Sequence, residues 1–206
     1  MTSRIKQAFR DVEGITGTEF LEPFRDVERV NDLRQTFRPK LTKLIIIGES
    51  HVRRGNGPGF IYDPAYYTPW WRDLLHPAFG IGGLPRTDGL NYLCESGVWI
   101  LDASVIALSG YRNIEREWPA RPLDSHLNAI LAASWNAFVR HEFESANAAH
   151  VVYFERAAAM LPEDIRRKGT PLRFNGPRHA KAFRYTDPQY RFGTARFIEA
   201  VRAAGL

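Results

Sequence analysis

The sequence predicts an α/β fold in which a four-stranded parallel sheet is covered by helices on both faces, as a three-layer α/β/α sandwich. Two observations indicate this class. Short apolar stretches alternate along the chain with longer segments that have helical periodicity. The clearest of these stretches, Leu44–Ile47, is apolar at every position, as expected of a strand buried on both faces of a parallel sheet.

Four segments have the composition of strands. They are Leu44–Ile47, Gly97–Leu108, His150–Phe154 and the less strongly patterned Leu172–Phe174. Parallel strands need long crossover connections, so the segments between these strands are expected to pack across the sheet. The chain contains no internal repeat and no linker composition, and residues 1–206 are therefore predicted to form a single domain.

Apolar residues spaced by three and four positions predict the helices. The predicted helices are Glu22–Phe37, Trp70–Leu75, a helix from Asp124 or Ser125 to about Phe143, Ala157–Met160 and Gly193–Ala204. Pro39 marks the end of the first one, because the residue before a proline disfavours helical geometry. Glycine and proline predict loops at 52–69 and 76–89, and residues 175–190 are predicted to be a basic loop. Residues 1–40 form an N-terminal helical segment that we expect to pack on the domain.

Composition restricts the classes of protein to consider. The chain of 206 residues has a net charge of +5, which favours anionic partners such as nucleic acid without identifying one. Cys94 is the single cysteine, so one chain cannot form a disulfide or an all-cysteine metal site. Residues 1–20 lack a signal-peptide core and no apolar stretch reaches membrane-spanning length. We expect a cytoplasmic monomer that does not bind membranes.

Polar residues gather where the predicted strands end. They are Glu49, Ser50 and His51 after the first strand, Asp102 in the second, Glu155 and Arg156 after the third, and Asn175 to His179 after the fourth. In parallel α/β sheets, ligands bind beyond the carboxyl ends of the strands. The sequence therefore predicts a site at this edge of the sheet.

Five stretches also suggest a family by their order and spacing. They read IGESHV (47–52), ESGVWILDASV (95–105), VVYFER (151–156), FNGPRHAKAF (174–183) and YRFGTARFIEAVRAAGL (190–206). Together they resemble the uracil-DNA glycosylase superfamily, whose most familiar branch carries GQDPYH, GVLLLN, a strand-end LLWG, HPSPLS and a closing FFGCRHF helix at corresponding places. The resemblance covers residues 41–206 and is strongest in GVWILDA and RFGTARF.

The chain departs from that branch at its functional motifs. The aspartate of GQDPYH falls on Ser50 and the following proline on His51. The asparagine of GVLLLN falls on Asp102, and the histidine of HPSPLS falls on Gly176. The resemblance implies a DNA glycosylase that hydrolyses the N-glycosidic bond of uracil or another deaminated base in base-excision repair. Its partner would be uracil-containing DNA, most simply duplex, from which the target base is flipped into a pocket.

The chemistry of such an enzyme assigns candidate catalytic residues. A carboxylate supports the sugar cation or activates water, and Glu49 and Asp102 are the candidates. Glu49 could instead cap a turn or pair with Arg53 or Arg54, and Asp102 could be a cap or a structural salt-bridge partner. As a reader of the base edge, an ionised Asp102 could accept from uracil N3–H but could not donate to O4. That property leaves room for other deaminated bases.

The remaining candidates bind the base or the phosphates. Ser50 and His51 could hydrogen-bond the departing base through backbone N–H groups or the imidazole. Phe60 or Tyr62 could stack on the base, although loop aromatics also commonly pack onto their own domain. Asn175 and His179 are the other predicted substrate-binding residues. The predicted phosphate contacts are Arg53, Arg54, Arg178, Lys181 and Arg184.

Two other functions remain open on the sequence. Ile47–Ser50 resembles the Gly-Asp-Ser block of small serine esterases, in which Ser50 would be the nucleophile, but the chain has no Asp-x-x-His sequence near its carboxyl end. The altered motifs also fit a protein of the same fold that binds uracil-containing or abasic DNA without cutting it.

Overall fold

The computed structural model describes residues 2–17, 22–54, 57–66, 71–110, 126–158, 160–172 and 188–206. The helices are α1 Thr2–Thr16, α2 Phe24–Thr36, α3 His76–Phe79, α4 Arg86–Ser96, α5 Leu127–Ser134, α6 Arg140–Ala146, α7 Glu155–Ala158, α8 Glu163–Lys168 and α9 Pro188–Ala203. Two π-helical turns, Trp71–Leu75 and Trp135–Val139, lead directly into α3 and α6. The strands are β1 Leu44–Gly48, β2 Val52–Arg54, β3 Gly57–Gly59, β4 Val98–Asp102, β5 Ser109–Gly110, β6 His150–Phe154 and β7 Thr170–Leu172.

The main sheet has four strands in the order β4-β1-β6-β7, and every pairing in it is parallel. All five residues of β1 and of β4 are buried, which explains why these strands, apart from Asp102 at the end of β4, are apolar instead of alternating. The predicted α/β class with an all-parallel four-stranded sheet is confirmed, and the arrangement is consistent with a three-layer sandwich. No helix within the described ranges is long and apolar enough to cross a membrane.

The second predicted strand ends earlier than the sequence suggested. It stops at Asp102 rather than Leu108, because the chain turns there and the N–H groups of Ala103 and Ser104 bind the carbonyls of Gly48 and Glu49. The Ser104 hydroxyl then holds the turn by bonding Ile106 N–H and carbonyl. Residues 103–107 are all buried, so this loop has the apolar composition of a strand without its conformation.

Two regions predicted to be loops contain regular structure. The glycine-rich segment after β1 contains β2 and β3. These two strands form a small second sheet with β5, in the order β3-β2-β5. The predicted loop 76–89 contains α3 and the start of α4. Helix α4 begins at Arg86, directly after Pro85, and ends at Ser96, before Gly97 with its φ of 91°. Few of its residues are buried, so its apolar periodicity is weak. One of them, Gly89, lies so close to the Trp71 ring that a Cβ would approach it to 2.7 Å.

The first and last parts of the chain also differ in their limits. Helix α1 was not individually predicted; its Ile5, Ala8 and Val12 are buried and belong to the same hydrophobic core as β1. Helix α9 begins at Pro188, five residues before the predicted start at Gly193. The fourth strand, β7, is displaced toward the N-terminus, since Pro171 and Thr170 extend it and residues 173–187 lie outside the described part.

Candidate functional site

The ends of β1 and β4 bring together the residues that the sequence placed at this edge. The strands are in parallel register, with Gly48 opposite Asp102, so the turn after β1 lies beside the last residue of β4. The backbone N–H of His51 donates to the Asp102 carboxylate. Ser50 accepts a hydrogen bond from Leu108 N–H at its hydroxyl, at 3.1 Å. Glu49, Ser50, His51 and Asp102 are therefore neighbours, as predicted.

The strand order explains why this edge is a suitable place for a site. The chain passes from β1 to β4 on one side and afterwards to β6 and β7 on the other side. Crossovers that leave in opposite directions open a crevice at the carboxyl ends of the two strands between them, here β1 and β6. The turn 49–51 follows β1, and Glu155 is the first residue after β6.

Asp102 is buried beside a buried arginine. Its Oδ2 lies 3.8 Å from Arg34 Nη2, which is an ion pair but too long for a hydrogen bond. Burial raises the pKa of Asp102 above its usual range, and the opposing effects of Arg34 and His51 do not cancel this. Burial also lowers the pKa of Arg34. Among the described residues, neither Asp102 Oδ2 nor Arg34 Nε has a hydrogen-bond partner.

His51 is held from its other side by Glu22, a residue just before α2. His51 Nε2 lies 2.8 Å from Glu22 Oε1, and both side chains are almost completely buried. The same oxygen accepts the N–H of Ala107 at 2.7 Å. We refer to Glu22, Arg34, His51 and Asp102 as the strand-end cluster.

Sequence reasoning missed Glu22 and Arg34. Arg34 had a detectable signal, because it follows Val27 and Val30 by seven and four positions and thus lies on the apolar face of α2. A charged residue at such a position needs a buried partner. Glu22 precedes Pro23 in a connecting segment, where neither spacing nor composition distinguishes it from a surface residue.

The two predicted stacking aromatics lie in the core. Phe60 lies between cluster members, with its ring centroid 5.4 Å from the Arg34 guanidinium and 6.4 Å from the His51 ring. Tyr62 stacks on Phe37, and its hydroxyl accepts the N–H of Ile100 at 2.7 Å. Burial raises the pKa of Tyr62, so it remains a neutral phenol. Tyr62 thus has the packing role that was its alternative, whereas Phe60 is next to the site.

Of the five predicted phosphate-binding residues, two lie in the described part of the chain. Arg53 and Arg54 belong to β2, opposite Pro58 and Gly57 of β3. The other three, Arg178, Lys181 and Arg184, lie outside the described residues, as do the predicted substrate-binding residues Asn175 and His179. Within the described ranges, no group of three or more histidine, cysteine, aspartate or glutamate side chains could hold a metal ion.

The arrangement offers a buried carboxylate with one unpartnered oxygen and, beside it, an imidazole held by a second carboxylate. Such a pair can stabilise positive charge at Asp102 and exchange a proton at His51. No protein-family model, curated protein or solved structure matches this chain.

Proposed function

We propose that this protein is a DNA glycosylase that hydrolyses the N-glycosidic bond of uracil or another deaminated base. Asp102 or Glu49 supplies the carboxylate that supports the sugar cation, and His51 is the hydrogen-bonding group beside it. The proposal includes a uracil-DNA-glycosylase-like version of the four-stranded parallel sheet, and it requires no metal or cofactor.

One observation carries the proposal: a buried carboxylate lies at the carboxyl end of a parallel strand, in contact with the turn that follows the neighbouring strand. Asp102 lies opposite Gly48 and accepts the N–H of His51. A surface salt bridge or a helix cap would not require a nearly buried aspartate with an unpartnered oxygen. Buried carboxylates with a perturbed pKa at the carboxyl end of a parallel strand are characteristic of functional sites.

The chemistry follows from the charges. Glycosidic bond cleavage leaves positive charge on the sugar and negative charge on the base, so a fixed carboxylate near the sugar lowers the barrier. Burial disfavours the ionised form of Asp102 and thereby raises its pKa. A sugar cation beside that ionised form would stabilise it. The like charge of Glu49 raises the Asp102 pKa further, so a neighbouring cation would offset the repulsion between the two carboxylates.

The test is base release from an end-labelled duplex with one central uracil, followed by alkaline strand scission at the abasic product. Asp102→Asn and Glu49→Gln are compared with the parent protein, and Asp63→Asn is the matched control. Asp63 is also a largely buried carboxylate, but its partner is Arg29, at 3.0 Å. Loss of release in one of the first two variants, with release retained in the control, identifies the catalytic carboxylate.

The same assay separates the alternatives. Saturable binding without release of uracil, hypoxanthine or xanthine indicates a non-catalytic protein that binds damaged DNA. Hydrolysis of a simple ester that is lost in Ser50→Ala indicates a serine esterase instead. Release by the parent with full activity in both carboxylate variants would contradict the assigned mechanism.

A further prediction concerns the basic residues of segment 175–190, for which the sequence predicts a loop. Replacing both Arg178 and Lys181 by alanine should weaken binding equally to any DNA sequence. It should also reduce the slope of log affinity against log salt by about one unit per lost phosphate contact. The matched control is Arg167→Ala plus Lys168→Ala, which removes the same charge from exposed positions on α8. An unchanged slope in the first double variant would place the DNA contacts elsewhere.

A further inference from the structure

The N-terminal segment supplies two buried charged residues to the strand-end cluster, although it precedes the part of the chain that carries the motif resemblance. Arg34 pairs with Asp102, and Glu22 binds His51. No sequence pattern connects residues 1–40 with the site. Of the two contacts, the one made by Glu22 has the shorter distance, and it leaves the other ring nitrogen of His51 without a partner among the described residues.

The hydrogen bonds at Glu22 specify the tautomer of His51. Oε1 of Glu22 accepts from the Ala107 N–H, which can only donate. The same oxygen is 2.8 Å from His51 Nε2. Imidazole nitrogens hold protons more firmly than carboxylate oxygens do, so Nε2 carries the hydrogen and donates it to Glu22. The neutral ring then has its lone pair on Nδ1.

His51 Nδ1 is the ring nitrogen that Glu22 does not bind. It is the ring nitrogen nearer to the residue's own backbone, and that backbone donates its N–H to the Asp102 carboxylate. Nδ1 is buried and has no hydrogen-bond partner among the described residues. A buried acceptor without a protein partner is costly unless a ligand or water uses it.

We propose that Glu22 is a positioning residue that makes His51 Nδ1 the proton acceptor for the attacking water; this inference rests on the proposed glycosylase function. The water oxygen bonds to the sugar C1′, and the C1′–N bond breaks with its electron pair passing to the base. The water proton goes to Nδ1. The Glu22 carboxylate stabilises the resulting imidazolium, as carboxylates do for histidine bases in other hydrolases.

Two substitutions separate orientation from charge. Glu22→Gln keeps an oxygen that can accept from both Ala107 N–H and His51 Nε2–H, so it should fold and retain the tautomer while it removes the negative charge. Glu22→Ala removes the acceptor altogether. The control is Asp63→Asn, which also removes a carboxylate from a largely buried position but lies outside the strand-end cluster.

The first readout does not need DNA. Ring nitrogen and carbon-bound proton signals of ¹⁵N-labelled protein report the tautomer, and a His51→Gln variant assigns His51 among the six histidines. The parent, Asp63→Asn and Glu22→Gln should show the proton on Nε2 of the neutral ring. Glu22→Ala should show a mixture. A proton on Nδ1 in the parent would overturn the inference even if the parent excises uracil.

The second readout is base release. Glu22→Gln should lower kcat about tenfold with unchanged KM, a smaller loss than the 10²-fold or more that removing the base in His51→Gln should cause. Unchanged kcat in Glu22→Gln would overturn the positioning role. If the parent releases no base while the tautomer is as expected, the glycosylase proposal fails and the assignment of Glu22 as the residue that orients His51 stands.

Discussion

Two buried carboxylates in this protein receive arginines from the same part of the chain, and they differ in how completely they are bonded. Arg34, near the end of α2, faces Asp102 of the strand-end cluster. Arg38, one turn later, faces Glu142 of α6 at 3.4 Å. The second set also contains Gln35, which donates to Glu142 at 2.8 Å, and Ser145, which accepts from Arg38 at 2.8 Å. We refer to these four residues as the helix-end cluster.

The difference lies in spare hydrogen-bonding capacity. Four buried atoms of the strand-end cluster have no partner among the described residues: Glu22 Oε2, Arg34 Nε, His51 Nδ1 and Asp102 Oδ2. No such atom belongs to the described helix-end cluster, and its Arg38 additionally lies 4.6 Å above the Trp99 ring. Buried polar groups whose hydrogen bonds are all made stabilise a single structure, whereas buried groups without a partner can still bind another polar group. We therefore expect a structural role for the helix-end cluster, and the proposed function assigns the chemistry to the strand-end cluster.

The largest expected effect tests those roles directly. Asp102→Asn should reduce base release by about 10²-fold to 10⁴-fold, because the isosteric amide cannot carry the negative charge that supports the sugar cation. Glu142→Gln should leave release unchanged, since its loss of charge affects only the packing of α2 on α6. Release rates at saturating DNA provide the measurement. Equal losses in the two variants would remove the distinction between the clusters.

The next effect concerns stability. Arg34→Met should lower the free energy of unfolding by about 3–5 kcal/mol, because it leaves Asp102 buried without its cation. Arg38→Met should cost about 1–2 kcal/mol, since Arg38 is partly exposed and Gln35 still donates to Glu142. Urea unfolding of both variants provides the comparison. A larger loss in Arg38→Met would show that the helix-end cluster contributes more to stability.

The smallest effect is a shift with pH. Base release should fall on acidification with a midpoint above 3.8, the ordinary pKa of aspartate, since burial raises the pKa of Asp102 and the ionised form is the active one. The effect of Asp102 on the free energy of unfolding depends on pH in the opposite direction. The raised folded-state pKa adds to the unfolding free energy below pH 3.8, and this contribution is lost as pH rises through the raised value.

The measurement compares unfolding free energies of the parent and Asp102→Asn across this pH range. The unfolding free energy of the parent should fall relative to that of Asp102→Asn as pH increases, because the variant has no group to ionise at this position. Glu142→Gln provides the control for removal of a buried carboxylate at the other cluster. A midpoint for release at or below 3.8 would contradict the proposed burial effect on Asp102.

The parts of the fold that the sequence predicted are those with a local signal. Strands β1 and β6 coincide with short, largely apolar runs of sequence, and their limits agree with the prediction within one residue. The second strand was extended through 103–107 because buried loop residues have strand-like composition. Helix α4 was missed because its exposed polar residues obscure the few that are buried, among them Leu90 and Leu93.

The candidate site shows the same limit. Glu49, His51 and Asp102 were predicted to meet because parallel strands place their carboxyl ends at one edge, which is a rule that sequence order can supply. Glu22 reaches His51 across 29 positions of the chain. Arg34 reaches Asp102 across a still longer separation. Both contacts depend on how α2 and the residue Glu22 before it pack against the strand ends. The periodicity of a single sequence does not report that packing.

The hydroxyl of Tyr62 has a consequence for association between molecules. Strand β4 is an outer strand of the sheet, and the N–H of Ile100 that Tyr62 binds points away from β1. Unpaired groups on an outer strand are templates for a strand from another molecule, which is a common route to aggregation. The segment that places Phe60 beside His51 therefore also covers this edge. Damage to its packing would expose the protein to edge-to-edge self-association as well as alter the site.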